Sequence, residues 1–135
     1  MDLRWLRTAI SANTLEWRAG KLALHHLSPL NRSLRTFAAM MVKDHGAARK
    51  RLLVLYKPPG NLLLRKHHRD ILKLRQAARN GLFTEQYTRF AVKSHQDALK
   101  LYEQEIQNGR STEVKKIARE QIKVVQKHMN HAHHM

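Results

Sequence analysis

Residues 34–55 read LRTFAAMMVKDHGAARKRLLVL, and the periodicity of this stretch decides the fold. Leu34, Phe37, Ala38, Met41, His45, Ala48, Leu52 and Leu55 recur at steps of three and four, the spacing that lines one face of an α-helix. With its flanks the stretch predicts a long amphipathic helix from about Leu30 to Lys57. Turn signals on both sides repeat along the chain at Ser28-Pro29, Lys57-Pro58-Pro59-Gly60-Asn61, Asn80-Gly81 and Asn108-Gly109-Arg110-Ser111. They divide it into five helical segments. The first, about Leu3 to Leu27, carries Leu6, Ile10, Ala23, Leu24 and Leu27 on one face, with Gly20 where a neighbouring helix can approach. A shorter third segment runs to Asn80 from a cap at Asn61, with Leu64, Ile71, Leu74 and Ala78 inward. The fourth, Thr84 to Asn108, aligns Tyr87, Ala91, His95, Ala98, Tyr102 and Ile106. The fifth, capped by Ser111 or Thr112, aligns Val114, Ala118, Gln121, Val125, His128 and Ala132. Four long helices, with an additional short helix between the second and third long ones, predict an all-α bundle.

Composition agrees. A chain of 135 residues is the size of one domain, taken here as residues 1–135, with a His-rich end, 128–135, expected to fray. Five Gly and three Pro are too few for the turns of a many-stranded β fold. The aromatic residues fall at helical spacing and read as packing, not as a base-stacking platform. Without cysteine there is no disulfide, thiolate metal site or thiol nucleophile. No phosphate-binding Gly loop, nucleophile elbow or zinc-finger spacing is present, so no catalytic motif supports an enzyme assignment. The start, Met1-Asp2-Leu3-Arg4-Trp5-Leu6-Arg7, lacks the apolar core of a signal peptide, and no stretch approaches the ~18 apolar residues of a membrane span.

A formal net charge of +16 draws polyanions. From Arg49 to Arg79 there are ten Lys or Arg against one acid, Asp70. Arg65, Lys66, Arg69, Lys73 and Arg79 face outward on the short helix and predict weak, salt-sensitive binding to nucleic acid or anionic lipid. A merely solvated face accounts for the same residues.

Polar residues on the apolar stripes carry the more specific signal. His45, His95 and His128 occupy core-facing positions on three different long helices, and Glu16 shares a face of the first with Asn13, Gly20 and Ala23. Buried polar groups need partners, because each one left unpaired costs on the order of 1–3 kcal/mol. Converging, the four can bind a metal, form a hydrogen-bonded layer without any ligand, or do acid–base work. Asp44 lies next to His45 and so diverges from it by about 100° around the helix, which makes it a ligand at the edge or a partner orienting an imidazole. His131, His133 and His134 extend a tail able to chelate, and His25-His26 and His67-His68 read as helix-end or surface pairs.

The run Ala12-Asn13-Thr14-Leu15-Glu16 through Gly20-Lys21-Leu22-Ala23-Leu24 is followed by Phe37-Ala38 to Met41-Val42-Lys43-Asp44-His45. Then come Gly81-Leu82-Phe83 to Tyr87, Val92-Lys93-Ser94-His95 and Gln126-Lys127-His128. Together these closely resemble the bacterial domain-of-unknown-function 4142 family over roughly residues 5 to 133. The resemblance implies a ferritin-like four-helix bundle, usually exported, with a metal or polar site at Glu16, Asp44, His45, His95 and His128. It implies a periplasmic or envelope location for a monomer or weak dimer, whereas a native start at Met1 would favour the cytoplasm. One departure matters. Di-iron carboxylate bundles use Glu-x-x-His, and the positions three before these histidines hold Val42, Val92 and Val125. A di-iron centre is disfavoured, and the set suits one transition-metal ion of zinc, copper, nickel, iron or manganese. The expected function is that of an envelope protein with an interior metal or polar site and no determined reaction. The alternatives are a polyanion-binding helical module and a metal-dependent oxidoreductase, the latter needing a redox-active ion with an open coordination position.

Overall fold

The computed structural model describes residues 2–134. Among them are five helices and no strand: α1 (Asp2–His26), α2 (Arg32–Leu55), α3 (Arg65–Arg79), α4 (Phe83–Asn108) and α5 (Thr112–Ala132). None is long and apolar enough to cross a membrane. The ends are set by local chemistry. Asn31 Oδ1 accepts from the Leu34 N–H at 3.4 Å to start α2, and Ser111 Oγ accepts from the Val114 N–H at 3.2 Å to start α5. The last carbonyls of α1 are taken up by Arg35, whose Nη1 donates to Leu24 O at 2.9 Å and Leu27 O at 3.1 Å.

The four long helices close a ring in which α1 packs on α2 and α4, and α5 packs on α4 and α2. Two apolar clusters fix their directions. Trp5, Leu52, Tyr102 and Val114 bring together the start of α1, the end of α2, the end of α4 and the start of α5. Ala23, Leu34, Phe83 and Ala132 join the opposite ends of the same helices. Every neighbouring pair is therefore antiparallel, while α2 and α4 run parallel. Their connection, residues 56–82, must return along the whole bundle, and α3 is its helical part.

The third segment does not start at Asn61 as the sequence suggests. Residues 56–64 are not helical, and Leu64 enters α3 in extended conformation with no side-chain cap. Packing overrides the cap: Leu62 and Leu63 lie against the two apolar clusters, and the Leu64 N–H donates to Ser11 Oγ at 2.7 Å. The same hydroxyl meets His67 Nδ1 at 2.6 Å, so His67 is buried and only His68 is a surface residue. The surface-pair reading fails for His67 because it shares the inward face of α3 with Ile71 and Leu74. The stretch read as a fraying tail is helical through Ala132, with His128, Met129 and Ala132 buried; Met135 lies outside the described residues.

Gly20 lies at a close approach of α1 to α2. A Cβ there would lie 3.0 Å from Ala38 O, 3.0 Å from Val42 Cγ2 and 3.3 Å from Met41 Cβ. One of these is backbone, so α2 would have to move. Alanine gains about 1 kcal/mol of helix propensity over glycine, and overpacking costs roughly 1–3 kcal/mol. Gly20→Ala is expected to lower stability by a net of about 1 kcal/mol in urea denaturation; a higher midpoint would show that the helices can part freely.

Candidate metal centre

Between the two apolar clusters lies a polar layer. α2 contributes His45, α4 His95 and α5 His128, with exposures of 5%, 0% and 0%. One nitrogen from each lies within 4.8 Å of the others. Ring centroids are 5.5 Å apart for His45 and His95, 5.1 Å for His45 and His128, and 5.4 Å for His95 and His128.

Their partners fix which nitrogen carries the proton. His45 Nδ1 faces Asn13 Oδ1 at 2.8 Å. The Asn13 amide nitrogen is occupied as donor to Ala9 O at 2.8 Å and Tyr102 Oη at 3.1 Å, so the amide oxygen faces the ring and His45 Nδ1 must donate. Tyr102 passes the chain on by donating to Gln121 Oε1 at 2.7 Å. His95 Nδ1 donates to the Ala91 carbonyl at 2.8 Å, with Glu16 Oε2 at 3.2 Å from the same atom. His128 Nε2 donates to Asp44 Oδ2 at 2.7 Å. What is left over is one lone pair on each ring: His45 Nε2, His95 Nε2 and His128 Nδ1. The last two stand 3.4 Å apart, and His45 Nε2 has no partner among the described residues. Three buried lone pairs facing one another repel unless something positive sits among them.

A proton is poorly suited to that place. Burial holds His45 well below the ordinary imidazole value, and the charges that His95 and His128 would carry push it the same way. Burial also lowers His128, with Asp44 opposing. Glu16 is raised by burial, opposed by His95 and by the Ser94 hydroxyl, which donates to Oε2 at 2.7 Å. Glu16 Oε1 and His45 Nε2 are two of four buried side-chain polar atoms without a partner among the described residues, the others being Tyr87 Oη and Glu105 Oε2. Such atoms normally mark an ion or water.

The sequence-predicted site residues separate into three groups. His45, His95 and His128 converge. Glu16 and Asp44 sit behind imidazoles, touching nitrogens that point away from the centre. Arg65, Lys66, Arg69, Lys73 and Arg79 lie exposed on α3. Sequence reading overlooked Asn13, Ser94, Tyr102 and Gln121 as members of the layer. The signal for Tyr102 and Gln121 was the same as for the histidines, a polar atom on an apolar stripe.

The family model described as Domain of unknown function (DUF4142) matches residues 1–135. No curated protein and no solved structure matches the chain.

The buried His45 imidazole has a pH signature. Unfolded, His45 takes up a proton as pH falls through about 6.5; folded, it stays neutral, so the unfolded chain binds more protons and stability is lost on acidification. Its contribution is complete above 6.5 and declines as pH falls toward its folded value. Glu16 and Glu105, both raised, work in the opposite sense but cancel in a comparison of two variants. In metal-free protein, the stability cost of His45→Gln is expected to shrink as pH is lowered from 6.5 to 5.0. A cost independent of pH would refute the neutral assignment.

Proposed function

The chain belongs to the family described as Domain of unknown function (DUF4142), and from that premise we propose that it is a ferritin-like metal-binding protein of the bacterial envelope, holding one divalent transition-metal ion on His45, His95 and His128. One observation carries the reading: three buried lone pairs converge while the other nitrogen of every ring is fixed by an acceptor. That is how metal-ligating histidines are oriented. The 3.4 Å between His95 Nε2 and His128 Nδ1 fits two ligands about 2.1 Å from a tetrahedral ion, which stand roughly 3.4 Å apart. Neutral nitrogen donors suit zinc, copper, nickel and iron(II) better than the oxygen-seeking ions, which puts manganese last. In this reading Glu16 and Asp44 orient imidazoles and raise their basicity instead of touching the ion. The ferritin-like assignment is supported by the one long crossover between parallel α2 and α4. The envelope location rests on the family resemblance alone.

A second reading concerns the outer surface. Arg65, Lys66, Arg69, Lys73 and Arg79 are all exposed, and none takes part in an ion pair among the described residues. Unpaired cations along one helix favour weak binding of nucleic acid or anionic lipid by release of counterions.

Full-length protein purified without nickel resin is expected to bind one ion per chain by elemental analysis. His45→Ala should abolish this, and Asp44→Asn should weaken it about ten- to a hundredfold. Replacing His131, His133 and His134 together should leave it intact. Binding that survives His45→Ala and disappears with the tail histidines would assign the metal to the tail and overturn the reading.

Retention on DNA or anionic vesicles should be present near ~0.05 M salt and lost near ~0.5 M. It should also fall when the five α3 cations are changed to glutamine. Equal retention at both salt concentrations would exclude an electrostatic origin.

A further inference from the structure

Away from the polar layer, a groove of about 460 Å³ lies between the first two turns of α1 and the end of the crossover. Leu3, Arg4, Arg7 and Thr8 line it from α1, and Leu64, the residue that leads into α3, lines it from the crossover. Ser11 fastens that side, since its Oγ accepts from the Leu64 N–H at 2.7 Å. No carboxylate lines the groove. Asp2, the acid next to Leu3, is engaged elsewhere: its carboxylate accepts from the Arg110 and Ser111 N–H groups, each at 3.1 Å. Arg4 and Arg7 take part in no ion pair among the described residues, and Arg7 Nη1 donates to the neutral Tyr56 Oη at 3.0 Å. We propose that this groove binds one amphiphilic carboxylate, a medium-chain fatty acid, with its head on Arg4 and Arg7 and its tail along Leu3 and Leu64. The inference stands apart from the metal-binding reading and uses none of its residues.

Charge, apolar surface and size select that class together. Arg4 and Arg7 are three residues apart and so share one face of α1, and a guanidinium stays charged at any ordinary pH and matches a carboxylate through two parallel N–H bonds. A bond from Arg7 to a carboxylate is about twice as strong as one between neutral groups, so the side chain can exchange Tyr56 for an incoming head group. The rest of the groove is apolar. Leu3 is 48% exposed, Leu64 is half-buried, and the methylene stems of the two arginines extend the same surface. A compact anion such as phosphate would leave that surface wet, and a neutral lipid would leave two guanidinium groups with nothing to meet. The volume falls within the range of about 300–1,000 Å³ found for small-molecule sites. At roughly 30 Å³ for a water, or for a methylene of similar bulk, it takes about fifteen non-hydrogen atoms. That is a carboxylate with about twelve carbons, and far less than a two-chain phospholipid.

The test is calorimetric titration of the full chain with sodium dodecanoate below its micelle-forming concentration. One dodecanoate per chain is expected to bind. Acetate, which has the head without the tail, and dodecyltrimethylammonium, which has the tail with the opposite charge, should both fail to bind. Arg4→Gln and Arg7→Gln should each weaken dodecanoate about tenfold. Leu3→Glu should weaken it at least as much, because it places an acid in the groove at a first-turn position where a helix accepts one. Tyr56→Phe separates contact from support: it removes the same hydrogen bond as Arg7→Gln but keeps the guanidinium, so affinity should be unchanged or tighter. Arg75→Gln, an exposed cation farther along α3, should have no effect and so controls for general electrostatic attraction. Many dodecanoates per chain, insensitive to the Arg4, Arg7 and Leu3 variants, would mean detergent-like adsorption and overturn the site. Equal weakening by Tyr56→Phe and Arg7→Gln would make Arg7 a prop for the crossover and overturn it as well. Arginine-dependent binding to phosphatidylglycerol vesicles with no response to free dodecanoate would assign this face to a membrane surface instead of a groove ligand.

Discussion

The structure depends on one constraint: hydrogen-bonding groups buried halfway along the core of a helical bundle. Each polar atom stranded there costs on the order of 1–3 kcal/mol, so the helices can adopt only the register that pairs them. Sliding α2 by one turn would separate His45 from Asn13 and Asp44 from His128, leaving several atoms unpaired at once. An apolar seam of leucines and alanines has no such preference. The layer therefore sets the alignment of all four long helices, and the two apolar clusters on either side supply the burial that holds it.

This division of labour explains the crossover. A ring with every neighbour antiparallel and α2 parallel to α4 requires a connection that travels the length of the bundle. Leu62 and Leu63 reach into the two clusters, and Ser11 fastens the turn into α3 through Leu64 and His67. Because α3 is attached by one face, its other face is free to carry unpaired cations. The chain thus keeps its positive charge outside, while burial keeps His45 and His128 in the interior layer from charging. An ion entering that layer meets donors and no competing cation.

Helical period alone placed His45, His95 and His128 on inward faces, and the turn signals located five helices, because both depend on local geometry. What remained illegible depends on which side of a ring meets which neighbour. Periodicity can say that Glu16 points inward; it cannot say that its carboxylate meets the far nitrogen of His95. Nor can it show that Asn13 presents its oxygen to His45 because Ala9 and Tyr102 occupy its nitrogen. The start of α3 was misread for a related reason. Asn61 is a good local cap, but long-range contacts of Leu62 and Leu63 outweigh a cap worth about 1 kcal/mol. His67 was assigned to the surface although its spacing, four residues before Ile71 and seven before Leu74, puts it on the inward face of α3.

The departure from the di-iron pattern has a physical consequence. Where such proteins place glutamates one turn before their histidines, this chain has Val42, Val92 and Val125. Two of these have packing duties that a carboxylate would disrupt: Val125 is 2% exposed in the apolar cluster with Leu52 and Tyr102, and Val42 lies at the close approach of α2 to Gly20. The carboxylates of the layer are displaced to positions behind the rings, at Glu16 and Asp44. A carboxylate in contact with an ion cancels its charge, whereas one behind an imidazole mainly orients the ring and raises its basicity. The three-imidazole arrangement would therefore leave a divalent ion electron-poor, which suits a single ion held by neutral donors better than the higher oxidation states of paired irons.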